Sequence, residues 1–151
     1  MDWSQVLQQP SGVPDIKLGP LSMWVLDGSR YEGWLNVRLQ VATRSAVVQA
    51  EGEILRRDEI ATLIAGSRWL YDKLSGRVEM RGLEPNLAIA MEIDGQGHIS
   101  VEVDLTGDVM TQRHHFEFEL DQTYLPEIIQ ACEKVLTKYP TQTPRNQWYG
   151  G

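Results

Sequence analysis

The chain has 151 residues, 42 % hydrophobic and 23 % charged, which are the proportions of a soluble globular protein able to bury a real core. Its formal net charge of -7, from 21 acidic against 14 basic residues, argues against nonspecific nucleic-acid binding, where phosphate neutralisation needs a Lys/Arg surplus. One cysteine excludes an intramolecular disulfide, no apolar run approaches the roughly 20 residues that cross a bilayer, and Met1-Asp2-Trp3-Ser4 opens without a signal-peptide pattern, so a cytoplasmic protein is expected.

In chain order, residues 1–14 read as an irregular leader, 15–140 as an α+β core and 141–151 as a C-terminal tail, all in a single domain. An extended stretch from Ile16 to Leu26 is interrupted by Gly19-Pro20, and Asp27-Gly28-Ser29 signals a turn. Trp34 to Val41 alternates, with Leu35, Val37, Leu39 and Val41 on one face and Trp34, Asn36, Arg38 and Gln40 on the other. Ala46 to Leu55 is a further strand. A helix is predicted from Asp58, a good N-cap type, to Leu74, with Gly76 as its stop and Ile60, Leu63, Ile64, Ser67, Leu70, Tyr71 and Leu74 as its buried stripe.

Four more strands follow: Arg77–Leu83, Leu87–Asp94, His98–Thr106 and His114–Leu120. A three-residue loop with Gly97 in the left-handed conformation pairs Asp94 with His98 and Glu92 with Ser100. Pro85 removes a ladder donor and biases Glu84 to an extended conformation, so Glu84-Pro85-Asn86 reads as a kink opening the next strand, with Asn86 free to bond nearby backbone. The last helix runs from Thr123 to Pro140 with Pro126 in its first turn. Strands, helix, four strands and helix, with tight hairpins and no βαβ alternation, make an α+β fold: a mostly antiparallel sheet with two amphipathic helices packed on one face.

Between Leu87 and Asp121 one parity is apolar and the other carries Glu92 and Asp94, then Glu102 and Asp104, then Glu117, Glu119 and Asp121. This writes a sheet with one dry and one acidic face. Like charges facing each other in neighbouring strands destabilise a sheet, with Arg38, Arg44 and Arg81 as possible offsets, so a partner-binding role competes with ordinary solvated carboxylates. Strand carboxylates splay along a surface, and no metal site or cofactor is expected from them. His114 and His115 point to opposite faces and cannot jointly ligate one metal. Cys132, inside the last helix's apolar stripe, reads as a buried, inert thiol. Gly95-x-Gly97 sits in a hairpin rather than before a helix, so it is no dinucleotide loop. Nothing forms a catalytic constellation. Trp69 lies on the helix face opposite Ile60, among Ala61, Thr62, Ala65 and Gly66, and needs a cover, either the chain's own ends (Trp3, Trp148, Tyr149) or a partner. Trp34 raises the same question on its strand.

The run Trp34-Leu35-x-Val37-x-Leu39-x-Val41, then Ile60-x-x-Leu63 through Trp69-Leu70, Leu83-Glu84-Pro85-Asn86-Leu87, Phe116-x-Phe118-x-Leu120 and the helix to Tyr139-Pro140 together resemble a bacterial family of small proteins that includes Wap-type immunity proteins. The resemblance implies a protein that neutralises a polymorphic or contact-dependent toxin by binding it, and it carries over no catalytic residue. The expectation is a non-enzymatic protein-binding module whose partner is another protein, such as a basic toxin domain. Glu92, Glu102, Asp104, Glu117 and Glu119 supply steering, and Trp34, Arg38 and Trp69 complete the contact surface. The alternative is a self-associating structural or housekeeping protein, a homodimer through the Trp69 face. A small-molecule or metal-dependent enzyme ranks last.

Overall fold

In a computed structural model, residues 12–28 and 32–140 are described. Alternation of apolar and polar residues produces eight strands: β1 (Ile16–Leu18), β2 (Leu21–Gly28), β3 (Trp34–Ala42), β4 (Val47–Arg56), β5 (Gly76–Arg81), β6 (Leu87–Ile93), β7 (His98–Leu105) and β8 (His115–Asp121). Helix α1 (Arg57–Lys73) joins β4 to β5, and a single 3-10 turn (Gln122–Tyr124) leads from β8 into α2 (Leu125–Lys138). The α+β class, the antiparallel pairing and the two helices are as the sequence implies. The strands divide into two four-stranded antiparallel sheets, β1-β2-β3-β4 and β5-β6-β7-β8, because α1 interrupts the run of hairpins between β4 and β5.

Both sheets turn their apolar parity inward. Val37, Leu39 and Val41 from the first and Ile99, Val101 and Val103 from the second are fully buried, and they join Ile60, Leu70, Leu125 and Cys132 of the helices in one hydrophobic cluster. At the start of α1 the Glu59 carboxylate accepts from the Arg56 backbone N–H at 2.8 Å and meets Arg56 Nε at 2.9 Å, which moves the cap two residues ahead of Asp58. The helix ends with Leu74 in the left-handed conformation (φ 54°), its N–H donating to Leu70. Arg57 donates to the carbonyls of Leu136 and Tyr139 at the end of α2, so its charge lies against that helix's negative pole.

Two close approaches join the sheets. Gly19 in the β1–β2 turn (φ 57°) sits under the Phe118 ring of β8, where an added Cβ would lie 2.6 Å from a ring carbon. Gly107, between β7 and β8, lies against the Gln49 carbonyl of β4.

Candidate functional site

The register of the second sheet lays its outward side chains out as a grid. Arg77, Glu92, Ser100 and Glu119 form one cross-strand row; Glu79, Ala90, Glu102 and Glu117 the next; Arg81, Ala88, Asp104 and His115 the third. The grid contains six carboxylates and two guanidiniums, with His115 at one corner. The hairpin that sets this register is the one the glycine spacing predicts: Gly97 takes φ 85°, Glu92 pairs with Ser100, and the Asp94 N–H donates to the His98 carbonyl. Asp94 also accepts from the backbone N–H groups of Gln96 and His98, which hold its carboxyl below the usual range. At the opposite end, Asn86 donates its side-chain amide to the Thr106 carbonyl, tying the β5–β6 loop to the β7–β8 loop.

Glu102 and Glu117 stand directly opposite each other on neighbouring strands, an arrangement that costs stability unless cations intervene. Two cations do. Arg77 on β5 lies 3.2 Å from Glu79, 3.5 Å from Glu92 and 3.1 Å from Glu102. On the far strand, His115 Nδ1 lies 2.7 Å from Asp104, and its Nε2 lies 3.1 Å from Glu117 and 3.7 Å from Glu102. These bonds favour the imidazolium, so the His115 pKa is raised, first by Asp104 and then by Glu117.

Sequence reasoning named Arg81 as an offset, and it meets Glu79 at 3.4 Å. It missed Arg77, whose reach across β6 depends on strand order, and it missed the offsetting role of His115. It also underestimated convergence: Glu102, His115 and Glu117 bring one potential ligand atom each within 4.8 Å of one another. In-register neighbours on adjacent strands meet where carboxylates along one strand diverge. Within this group His115 Nε2 contacts Glu117 at 3.1 Å and lies 3.7 Å from Glu102.

The remaining expected contact residues lie off this grid. Arg38 is on the outer side of the first sheet, opposite Glu51 and paired with it at 2.5 Å. Trp34, half-buried, faces Arg56 across the strands, with the guanidinium 5.9 Å from its ring centroid. Trp69 stacks on Gly76, where an added Cβ would come within 2.5 Å of the indole, and Gly66 in the same stripe lies against Val78. The small-residue face of α1 is thus covered in part by β5, with Trp69 still 43 % exposed. The tails considered as its cover lie outside the described residues. Cys132 is buried and its thiol is pushed up to about 12 by desolvation, so it is no nucleophile near neutrality. Among the described residues no helix is long and apolar enough to cross a membrane.

No curated protein matches the chain. Among solved structures, one similar chain is that of the plant transcriptional regulator PBF-2, 12 % identical over 89 % of this chain and 91 % of that one, with a TM-score of 0.43, a likeness too loose to bear on function. The family comparison is direct: residues 15–140, nearly all of the described chain, match the Immunity protein WapI-like family. The chain therefore belongs to the WapI-like immunity protein family.

Proposed function

We propose that this protein is a non-enzymatic immunity protein that binds a basic toxin domain through the outer face of its second sheet. The observation that carries the reading is the grid itself, with six carboxylates against two guanidiniums on a face that folding leaves outward. A field of one sign steers an oppositely charged partner and raises the association rate, and the effect fades as salt screens it. Family membership supports a protein partner, and the neutral, buried Cys132 removes the chain's one candidate thiol nucleophile.

The homodimer alternative through the Trp69 face has less behind it, because Trp69 already packs on Gly76. Trp34 and Arg38, which are held by Arg56 and Glu51, become secondary contacts at most.

The test is a titration of binding to a basic toxin domain offered as its partner, from 50 to 500 mM salt, with Glu102 and Glu117 reversed to Lys. Association is expected to slow by about tenfold or more with added salt and again with charge reversal. Affinity indifferent to both removes the acidic face as the binding surface.

A further inference from the structure

Two sheets of four strands have four edges, and three of them carry a device against further pairing. β5 lies along α1, with Gly66 against Val78 and Trp69 on Gly76. β1 is three residues long and ends at Gly19-Pro20. β4 is broken by a register slip opposite Leu35 and Val37, with Gly52 at φ 142°, and its Gln49 carbonyl meets Gly107. Covering elements, short length and bulges are the usual means of keeping a strand edge from recruiting another strand. β8 has none of them. It is seven residues long, pairs with β7 without a register break, and no described strand lies on its other side.

Bonds at both ends of the ladder fix which backbone groups of β8 turn outward. Leu105 N–H donates to the His114 carbonyl at 3.1 Å, and Gln122 N–H to the Gly97 carbonyl at 2.9 Å. By antiparallel alternation between them, Phe116, Phe118 and Leu120 direct N–H and C=O to β7, while His115, Glu117 and Glu119 direct theirs to the open side. The inner side chains are incompletely covered there as well. Phe116, Phe118 and Leu120 are only half-buried, whereas Val103, Val101 and Ile99 opposite them on β7 are fully buried. Beside Leu120 lies a groove of about 350 Å³, lined also by Lys17 of β1 and by Tyr124 and Ile128 where the chain enters α2. That volume is at the lower end of binding sites for small groups.

We propose that β8 takes one extended segment of the protein partner as a fifth strand of the second sheet. The segment's backbone bonds the outward groups of Glu117 and Glu119. Its inward side chains are aliphatic, covering Phe118 and Leu120 and entering the groove, and its outward ones are Lys or Arg beside Glu117 and Glu119. In strand addition, main-chain bonds supply affinity and alternate side chains supply specificity. Charge selects the occupant. A second copy of this chain, in the two-fold register centred on Phe118, would set Glu117 against the copy's Glu119, a like-charge pair on neighbouring strands. A basic segment in the same place meets opposite charges instead. The proposal rests on the second sheet meeting a basic partner and adds the backbone contact that holds it.

The experiment follows amide exchange in the full chain by NMR while a blocked Lys-Val-Lys-Leu-Lys-Val-Lys peptide is added at low salt. The Glu117 and Glu119 amides are expected to exchange fast in the free protein and to slow by about tenfold or more when the peptide binds. Two further peptides carry N-methyl groups on one or the other set of alternate residues, with side chains unchanged. Only one set faces β8, so one of the two is expected to bind about tenfold more weakly than the other. Glu119→Pro removes an outward N–H and leaves the β7 ladder intact, so it is expected to weaken binding well beyond Glu119→Gln, which removes only the charge. Should the proline variant not fold, the methylated peptides test the wild type directly. No binding of the parent peptide, binding without protection of Glu117 and Glu119, or equal binding of the two methylated peptides overturns the added strand. If Glu102→Lys still weakens peptide binding in that case, the acidic face stands without it; if that substitution changes nothing either, both readings fall.

Discussion

The two sheets share a core and part company on their outer faces. Inward, each alternates aliphatic side chains into the same cluster. Outward, the first sheet carries the Arg38–Glu51 pair, Trp34 under Arg56, and Ser22 and Gln40 with only 8 % and 6 % of their surface exposed. The second carries opposed carboxylates held together by Arg77 and His115. Folding demands the inner parity and is nearly indifferent to the outer one. A net-acidic outer face with two carboxylates in register is not required by the core, and it is this difference between the outer faces that the proposed partner binding uses.

The largest expected effects test the shared half of this comparison. Leu39→Ala in the first sheet and Ile99→Ala in the second should each lose about 2–5 kcal/mol, because both side chains are fully buried. Urea unfolding of each should remain one transition, and two separate transitions would break the claim of a common core. Gly19→Ala strikes the joint between the sheets: a positive φ and the Phe118 ring both oppose a Cβ, so a loss of about 1–3 kcal/mol is expected, partly recovered by Phe118→Leu.

Smaller effects separate the outer faces. Arg38→Ala should change stability by no more than about 0.5 kcal/mol, as for a single surface pair. Arg77→Ala, which releases three carboxylates at once, should lower the melting temperature further than Arg38→Ala does. The smallest effect concerns His115. Because its folded pKa is raised, its contribution is fully present below its unfolded value near 6.5 and is lost as pH rises through the folded value. The melting-temperature gap between the wild type and His115→Gln should therefore be widest at acidic pH and close above neutrality. A gap independent of pH would show that the imidazolium is not what holds the cluster.

Local pattern explains how much of this was legible. The parity of β6, β7 and β8, the Gly97 hairpin, Pro126 in the first turn of α2 and the burial of Cys132 follow from neighbours a few residues apart. The bonding of Asn86 to nearby backbone followed from its place in a turn, although its partner, Thr106, comes from the adjacent loop. The division into two sheets did not follow, since alternation fixes faces and not partners. The clamp by Arg77 depends on β6 lying between β5 and β7, and the cover of Trp69 on β5 folding back along α1. The start of α1 moved because Glu59 caps Arg56, a pairing that the better cap residue at Asp58 concealed.

The central claim is that binding belongs to the second outer face and not the first. Its most direct test compares the rate of association with the toxin domain that the protein is proposed to neutralise for Glu102→Lys and Glu51→Lys, at 50 and 500 mM salt. The expected result is an association about tenfold slower for Glu102→Lys at low salt, a difference that shrinks at high salt, with Glu51→Lys within about twofold of the wild type throughout. Equal effects of the two reversals, or a Glu102→Lys rate equal to that of the wild type, would contradict it.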